Sequence, residues 1–362
     1  MSEGGKAESG ADQDGKGISF RKLEVLHSPA DACMTGAAQA GGGISFMDAQ
    51  GATAKGGPKE GTGEVKDIYY RAMYELCRIF LHMKEGRKFS ADPVVPYIKE
   101  FVAGSIQEEG NPWMQLIYTE EKGKDVVLQT AVHSLNTTIV ALKIGLGLGK
   151  KAVALDNIAT LAFFHDVGML MVSPEVIAKP GKLTSDEFSM VKRHPEQGHR
   201  LLQRLAGDYG SIAENAYQEH ERIDGSGYPR GLKDGEINEH SLIVGISDMY
   251  AAMIQPRPYR PRYLPFDAIK GIIALSKGKF PHAVIRTLVN EFAVFPLGIY
   301  VKLNSKEIGK VTAVSRIAPL RPVIEILYDS SGHRLSKPRV IDMMADHVLQ
   351  IEAACFTEEE MN

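Results

Sequence analysis

Between residues 65 and 254 apolar side chains return at steps of three and four, and beyond Pro296 they do not. A chain with that change of texture folds as a helical body followed by something smaller and extended. Ile68, Tyr69, Met73, Leu76, Ile79, Phe80 and Met83 mark one amphipathic helix, and a second such segment spans 92–101. Residues 126–146, apolar at most turns and closed by Gly147-Leu148-Gly149, predict a long helix buried over much of its surface. Further helices are predicted over 155–165, 185–205, 212–221 and 241–254, with Thr184 as N-cap of the 185–205 helix and Glu187 at its capping-box position. Residues 299–303, 308–314 and 323–328 are short β-branched runs. Gly309-Lys-Val, Pro319-Leu-Arg-Pro322 and Asp329-Ser-Ser-Gly332 read as hairpin turns among them. The expected fold class is mainly α, with a helical N-terminal extension over 66–112 and a small β-rich module over 296–362.

Residues 1–65 are rich in Gly, Ala and small polar residues and lack sustained periodicity, so they are expected to be a disordered leader. The Gly-Ile-Ser-Phe repeated within it at 17–20 and 43–46 is assigned no function. A formal charge of −3 gives no global field for nucleic acid or an anionic membrane, and neither is expected as a partner. Cys33, Cys77 and Cys355 are odd in number and have no CxxC spacing, which argues against a disulfide framework and a thiolate zinc site. The N-terminus has no apolar h-region and the most hydrophobic windows are short, so a cytoplasmic protein without a membrane span is expected.

The chemistry is carried by His165-Asp166, which ends the apolar run Leu161-Ala-Phe-Phe164 and precedes Val167-Gly168. Two potential ligands at a buried helix terminus are costly without a partner, and a bound cation compensates them better than any side chain nearby in sequence. A local His-Asp hydrogen bond holding a turn is the blander account of the pair alone. The other histidines weigh against it, because they lie in polar signatures: His133 in His-Ser-Leu-Asn, His194 in Lys-Arg-His-Pro-Glu-Gln-Gly, and His220 in Gln-Glu-His-Glu-Arg. Imidazole suits transition metals and carboxylates can bridge two of them, so this is the ligand set of a di-iron, di-manganese or similar hydrolytic centre.

Taken in order, His165-Asp166-Val-Gly, Lys179-Pro-Gly-Lys-Leu-Thr184, His194-Pro-Glu-Gln-Gly198, His220-Glu-Arg-Ile-Asp-Gly-Ser-Gly-Tyr-Pro229 and Arg257-Pro-Tyr-Arg260 resemble the HD-GYP family, over residues 113–295. The resemblance implies an HD-type helical bundle that holds two or three divalent metal ions, iron or manganese, and hydrolyses cyclic di-GMP to pGpG or GMP in bacterial signalling. Carried over by position, His133, His165, Asp166, His194, His220 and Asp248 are metal ligands, with Asp166 the bridge and His165-Asp166 the catalytic pair. Gly227-Tyr228-Pro229 is the GYP motif, and Gly227, Tyr228, Arg257 and Arg260 match substrate-facing positions. Two arginines three apart beside Pro256 and Pro258 suit presentation of guanidinium forks to phosphate oxygens. The resemblance further implies a diguanylate cyclase or other signalling partner through the GYP loop, and it is compatible with a homodimer.

Four positions depart from the family's usual pattern. Met169 stands for a lysine, Glu219 for the first histidine of a pair, Gln129 for an acidic residue, and Ala251 for an aspartate. Glu219 is counted as a seventh ligand, since a carboxylate also ligates iron, manganese or magnesium. Gln129, a poor ligand, favours two metals over three. Met169 and Ala251 remove a cation and a carboxylate that would serve the phosphate or a proton transfer. Two alternatives therefore stay open: a member that binds cyclic di-GMP or a signalling partner with weak or no turnover, and an HD hydrolase for another nucleotide or phosphodiester. A third gives the leader and the β module the main role, with the helical domain as scaffold.

Overall fold

The computed structural model describes residues 62–106, 112–118, 125–177, 179, 181–205, 209–255, 262–292, 295–315, 318, 320–355 and 358. The expected leader with its repeated tetrapeptide and Cys33, and also Arg257 and Arg260, lie outside the described residues.

The helical body begins with α1 (Thr62–Lys84) and α2 (Val95–Ile106). Their apolar stripes, including Tyr69, Leu76, Phe80 and Phe101, are buried on the long central helix α3 (Val126–Gly147) and on α4 (Ala152–Phe164). Asp125 starts α3, its carboxylate accepting from the backbone N–H groups of Val127 and Leu128. Burial around α3 is almost complete, which is why its sequence lacks a polar face. After α4 come a 3-10 turn over Val167–Met171 and four short helices: α5 (Pro174–Ile177), α6 (Ser185–Val191), α7 (His194–Leu202) and α8 (Gly210–Ala216). Buried α9 (Glu239–Ile254) crosses α3 and α4, and α10 (Pro265–Ser276) and α11 (His282–Glu291) close the body.

The single helix expected over 185–205 is two helices. The Thr184–Glu187 capping box forms as expected, but α6 ends at Val191 and α7 starts at His194, with Pro195 in its first turn. Proline has no N–H to donate to the preceding turn and its ring clashes with it, so the chain breaks there and presents His194 at a new helix start. The expected 212–221 helix likewise stops at Ala216, which leaves 217–220 in turns and frees Glu219 and His220 from the helical register.

Beyond Phe292 five antiparallel strands form one sheet in the order β4-β3-β2-β1-β5: β1 (Tyr300–Leu303), β2 (Ile308–Ala313), β3 (Val323–Tyr328), β4 (Arg334–Asp342) and β5 (Ile351–Cys355). Its core of Phe295, Ile299, Val301, Leu303, Val311, Ile324, Ile326 and Met343 is separate from the helical core. A stack of Phe295 on Phe266 of α10, with ring centroids 5.9 Å apart, meets the helical body. Gly309 is not in a turn: it lies inside β2, paired with Ile326. The turn after Asp329 does form, with the Asp329 carboxylate accepting from the N–H groups of Ser331 and His333. β4 is one of the two edge strands, and Lys337, Pro338 and Arg339 occupy its exposed stretch, as residues that obstruct further pairing do.

The stretch Ala152–Met171 is long and apolar enough to cross a membrane, but most of its apolar window is buried inside the protein, as in a core helix.

Candidate metal centre

Every ligand candidate in the described residues reaches one place, and the reason is visible element by element. His133 is carried by α3 and Asp248 by α9, and these two helices pack together, so His133 Nε2 lies 2.7 Å from Asp248 Oδ1 across 115 residues of sequence. His165 caps the C-terminal end of α4 and Asp166 follows it. His194 opens α7, and Glu219 and His220 occupy the turn after α8. All seven are buried, the most exposed being Asp166 at 6%.

Two backbone contacts fix these elements against one another. A Cβ on Gly168 would stand 1.8 Å from the His194 carbonyl oxygen, so the 3-10 turn behind His165-Asp166 abuts the start of α7 as only glycine permits. A Cβ on Gly245 would stand 2.3 Å from the Glu219 carbonyl oxygen, which brings α9 equally close to the Glu219-His220 turn. The Gln218 side chain adds a bond of 2.7 Å from the Asn238 N–H at the start of α9.

The side chains fall into two clusters. His133, His165 and Asp248 place one ligand atom each within 4.8 Å of one another, and so do His194, Glu219 and His220. Asp166 Oδ1 lies 3.4 Å from His194 Nε2, and Glu219 Oε2 lies 3.9 Å from His165 Nε2, so the two clusters are contiguous. His165 and His194 are oriented in the same way: the Nδ1–H of each donates to a carbonyl three residues back, Ala162 and Val191, at 2.8 Å. That tautomer leaves Nε2 a bare lone pair aimed into the site, the form in which histidine ligates metals.

Whether this arrangement fits divalent cations can be judged from what it leaves unsatisfied. His165 Nε2, Glu219 Oε2, His133 Nδ1 and His220 Nδ1 are buried without a hydrogen-bond partner. His194 Nε2 and His220 Nε2 are 3.0 Å apart, and two imidazole nitrogens face each other so closely only around a shared proton or cation. Three buried carboxylates among four imidazoles, with the unpartnered His165 Nε2 beside the unpartnered Glu219 Oε2, suit hard-to-borderline transition ions and need no thiolate. The residues fit.

The electrostatics follow from burial. Desolvation, the largest influence, pushes the Glu219 carboxyl well above the usual range, and the charges of Asp166 and Asp248 add to it. Burial, then the neighbouring His194, holds the His220 imidazole well below its ordinary value, so it stays neutral. Burial would raise Asp248 too, but the hydrogen bond and charge of His133, with His165 and His220, hold it below the ordinary aspartate range.

The loop after His220 forms the outer wall. The Tyr228 ring stacks on the His220 ring with centroids 4.7 Å apart and planes 16° from parallel, and the Tyr228 N–H donates to the His220 carbonyl at 3.2 Å. Gly227 backs onto the main chain of Glu221 and Arg222. Two residues assigned no role from the sequence hold this loop. The buried Glu221 carboxylate accepts from the N–H groups of Arg230 and Leu232 at 2.7 and 2.9 Å, and Arg222 donates to the carbonyls of Glu219 and Glu221 with its guanidinium over the Phe280 ring. The signal available was their charge inside a segment that otherwise reads as a metal motif; both side chains are buried.

The departures are placed as follows. Met169 is buried in an apolar cluster with Val172, Val176, Ile177 and Val191, Ala251 is buried in α9, and Gln129 lies half-buried one turn before His133.

Residues 123–283 match the HD domain, and residues 300–362 match the KOW domain associated with HD domain. A cyclic di-GMP phosphodiesterase of Pseudomonas aeruginosa is 28% identical over 288 residues, 78% of this chain and 68% of that protein. A cyclic di-GMP phosphodiesterase of Thermotoga maritima is 35% identical over 45% of this chain and 44% of its own length. A 3'3'-cGAMP-specific phosphodiesterase of Vibrio cholerae is 43% identical over 26% of this chain and 22% of its own. The chain thus spans two thirds of the first relative and less than half of the other two. Among solved structures, an HDG"Y"P protein of Bdellovibrio bacteriovorus superposes with a TM-score of 0.51 at 15% identity, covering 63% of this chain and 71% of that one, which is a likeness of fold.

Proposed function

We propose, from the match of residues 123–283 to the HD domain, that the chain is a metal-dependent phosphodiesterase that hydrolyses cyclic di-GMP to pGpG or GMP in the bacterial cytoplasm. The observation that carries the reading is the meeting of seven buried ligand candidates, six in two clusters and Asp166 beside them, with the unpartnered His165 Nε2 and Glu219 Oε2 where the clusters adjoin. The names of relatives at 28% and 35% identity support the substrate.

In this reading His133, His165, Asp166, His194, Glu219, His220 and Asp248 hold two divalent ions, iron or manganese, with Asp166 shared and His165-Asp166 at the reacting centre. Such ions supply Lewis acidity and a nucleophile at neutral pH. The protein's own part is positional. The carbonyls of Ala162 and Val191 aim two imidazoles, and the Glu221 carboxylate keeps the 224–232 loop closed so that Tyr228 faces the substrate beside His220. Gly227 permits that loop's close approach, and Arg257 and Arg260 contact the phosphates. The GYP loop is also the surface we assign to a signalling partner such as a diguanylate cyclase.

The test is reconstitution of the purified protein with iron or manganese under reducing conditions, followed by assay for pGpG and GMP. Product in at least one metal is expected. A panel containing 3'3'-cGAMP, cyclic mononucleotides and dNTPs fixes the substrate, and preference for one of those overturns cyclic di-GMP. A second reading, a cyclic di-GMP receptor without turnover, draws on the buried apolar surroundings of Met169 and Ala251. Binding with no product in any metal decides for it.

A further inference from the structure

A cyclic dinucleotide brings two phosphodiester anions to a centre that already contains three buried carboxylates, Asp166, Glu219 and Asp248. Two divalent ions would offset those carboxylates and leave roughly one positive charge against the two phosphates, so a protein cation at the mouth is still called for. Among the described residues, most cations near it are otherwise engaged. Arg222 is buried and spent on two carbonyls and an aromatic ring, Arg230 pairs with Glu214 at 2.7 Å, and Lys179 pairs with Glu187 at 2.6 Å. Met169, where the resembling pattern has lysine, faces an apolar cluster and offers no charge.

Lys192 is placed differently. It follows Val191, which covers that Met169 cluster, and precedes His194 by two residues, so the break between α6 and α7 sets it beside the ligands. It is exposed, and its Nζ stands 5.1 Å from the Tyr228 ring centroid and 4.8 Å from that of Phe188. Tyr228 in turn stacks on the ligand candidate His220, so an ammonium, a phenol ring and an imidazole form one layered wall. Ring faces fix where the ammonium sits and leave its N–H donors for an anion. The described residues give Lys192 no carboxylate partner.

We propose that Lys192 is a substrate-binding cation of this centre, contacting a phosphate of the cyclic dinucleotide in place of the lysine that Met169 lacks. This rests on the phosphodiesterase reading above. A phosphate held at Lys192 lies on the Tyr228 side of the centre, so the same wall positions substrate and shields the ligands.

The decisive experiment measures binding of a cleavage-resistant phosphorothioate analogue of cyclic di-GMP to the metal-loaded full chain, at low and high salt. Lys192→Met keeps the apolar stem on the two rings and removes only the charge. It is expected to weaken binding about ten- to hundredfold at low salt, with the loss shrinking at high salt and with melting temperature and metal content unchanged. Lys192→Arg is expected to retain most of the affinity. Wild-type affinity in Lys192→Met, or equal losses in the Met and Arg variants, overturns the role of the charge. If the wild-type protein binds 3'3'-cGAMP and not cyclic di-GMP, the substrate reading falls, and the same variants measured with cGAMP decide Lys192. If it binds no cyclic dinucleotide, both fall.

Discussion

At the scale of single residues the centre is a balance between burial and charge. Glu221 is the sharpest case outside the ligands, since its carboxylate satisfies the backbone N–H groups of Arg230 and Leu232 in a place water does not reach. Glu221→Ala strands both donors at about 1–3 kcal/mol each. We expect a clear drop in melting temperature and a loss of turnover with metal content retained; a variant that melts and turns over like wild type refutes the loop-anchor role. Glu219 gives a pH signature in chelated protein. Its folded value lies above the ordinary 4.5, so its contribution to stability is full below that pH and is lost as pH rises toward the folded value. His220, held below 6.5, acts in the opposite sense, losing stability as pH falls below 6.5. Denaturant melts across this range should therefore show Glu219→Gln gaining on wild type as pH rises. A constant difference between the two would mean that the carboxyl is not protonated in the folded state. The histidines and aspartates of the site were legible in the sequence because they break apolar runs with ligand chemistry. The anchors Glu221 and Arg222 were not, because a charged side chain looks the same in sequence whether it meets solvent or a buried backbone.

At the scale of elements, the helices were readable wherever a stripe of apolar residues has to find a core, as in α1, α3, α4 and α9. The errors cluster where tertiary contact overrides periodicity. The apolar pattern runs on through Lys192 and Arg193, but Pro195 interrupts the hydrogen bonds, and the resulting break is what lets His194 point inward. β4 escaped notice because Arg334–Asp342 is an exposed edge strand with a proline in it, so it carries neither alternation nor a continuous apolar run. Helices α10 and α11 were not legible either, although α10 packs on α9 and α11 on α3 and α9. The contact between the Gly168 turn and α7 supplies the test at this scale. Gly168→Ala forces a Cβ to within 1.8 Å of a backbone oxygen that cannot rotate away. Expected are a loss of about 3 kcal/mol or more, as for severe overpacking, and a fall in bound metal per chain. Normal metal content in a stably folded variant would show that the two elements can separate without disturbing the ligands.

At the scale of the whole molecule, the main core of the helical body and the core of the β-sheet module are separate, and the stack of Phe266 on Phe295 joins them. Ligand binding stabilises only the unit that binds. Calorimetry with and without iron or manganese should therefore move the unfolding of the helical body and leave that of the β-sheet module in place. A single transition that shifts as one would show that the two cores unfold together. The seven ligand candidates also have a history along the chain. Asp248 joins His133 across 115 residues, and α9, which bears it, packs through the middle of the helical body. A nascent chain emerging from the ribosome displays six of the seven before Asp248 is made, and until then the contact of Gly245 with the Glu219 carbonyl is also missing. The cluster of His133, His165 and Asp248 is therefore completed only when synthesis has passed α9, and metal held at that cluster would report that this region has been both made and folded.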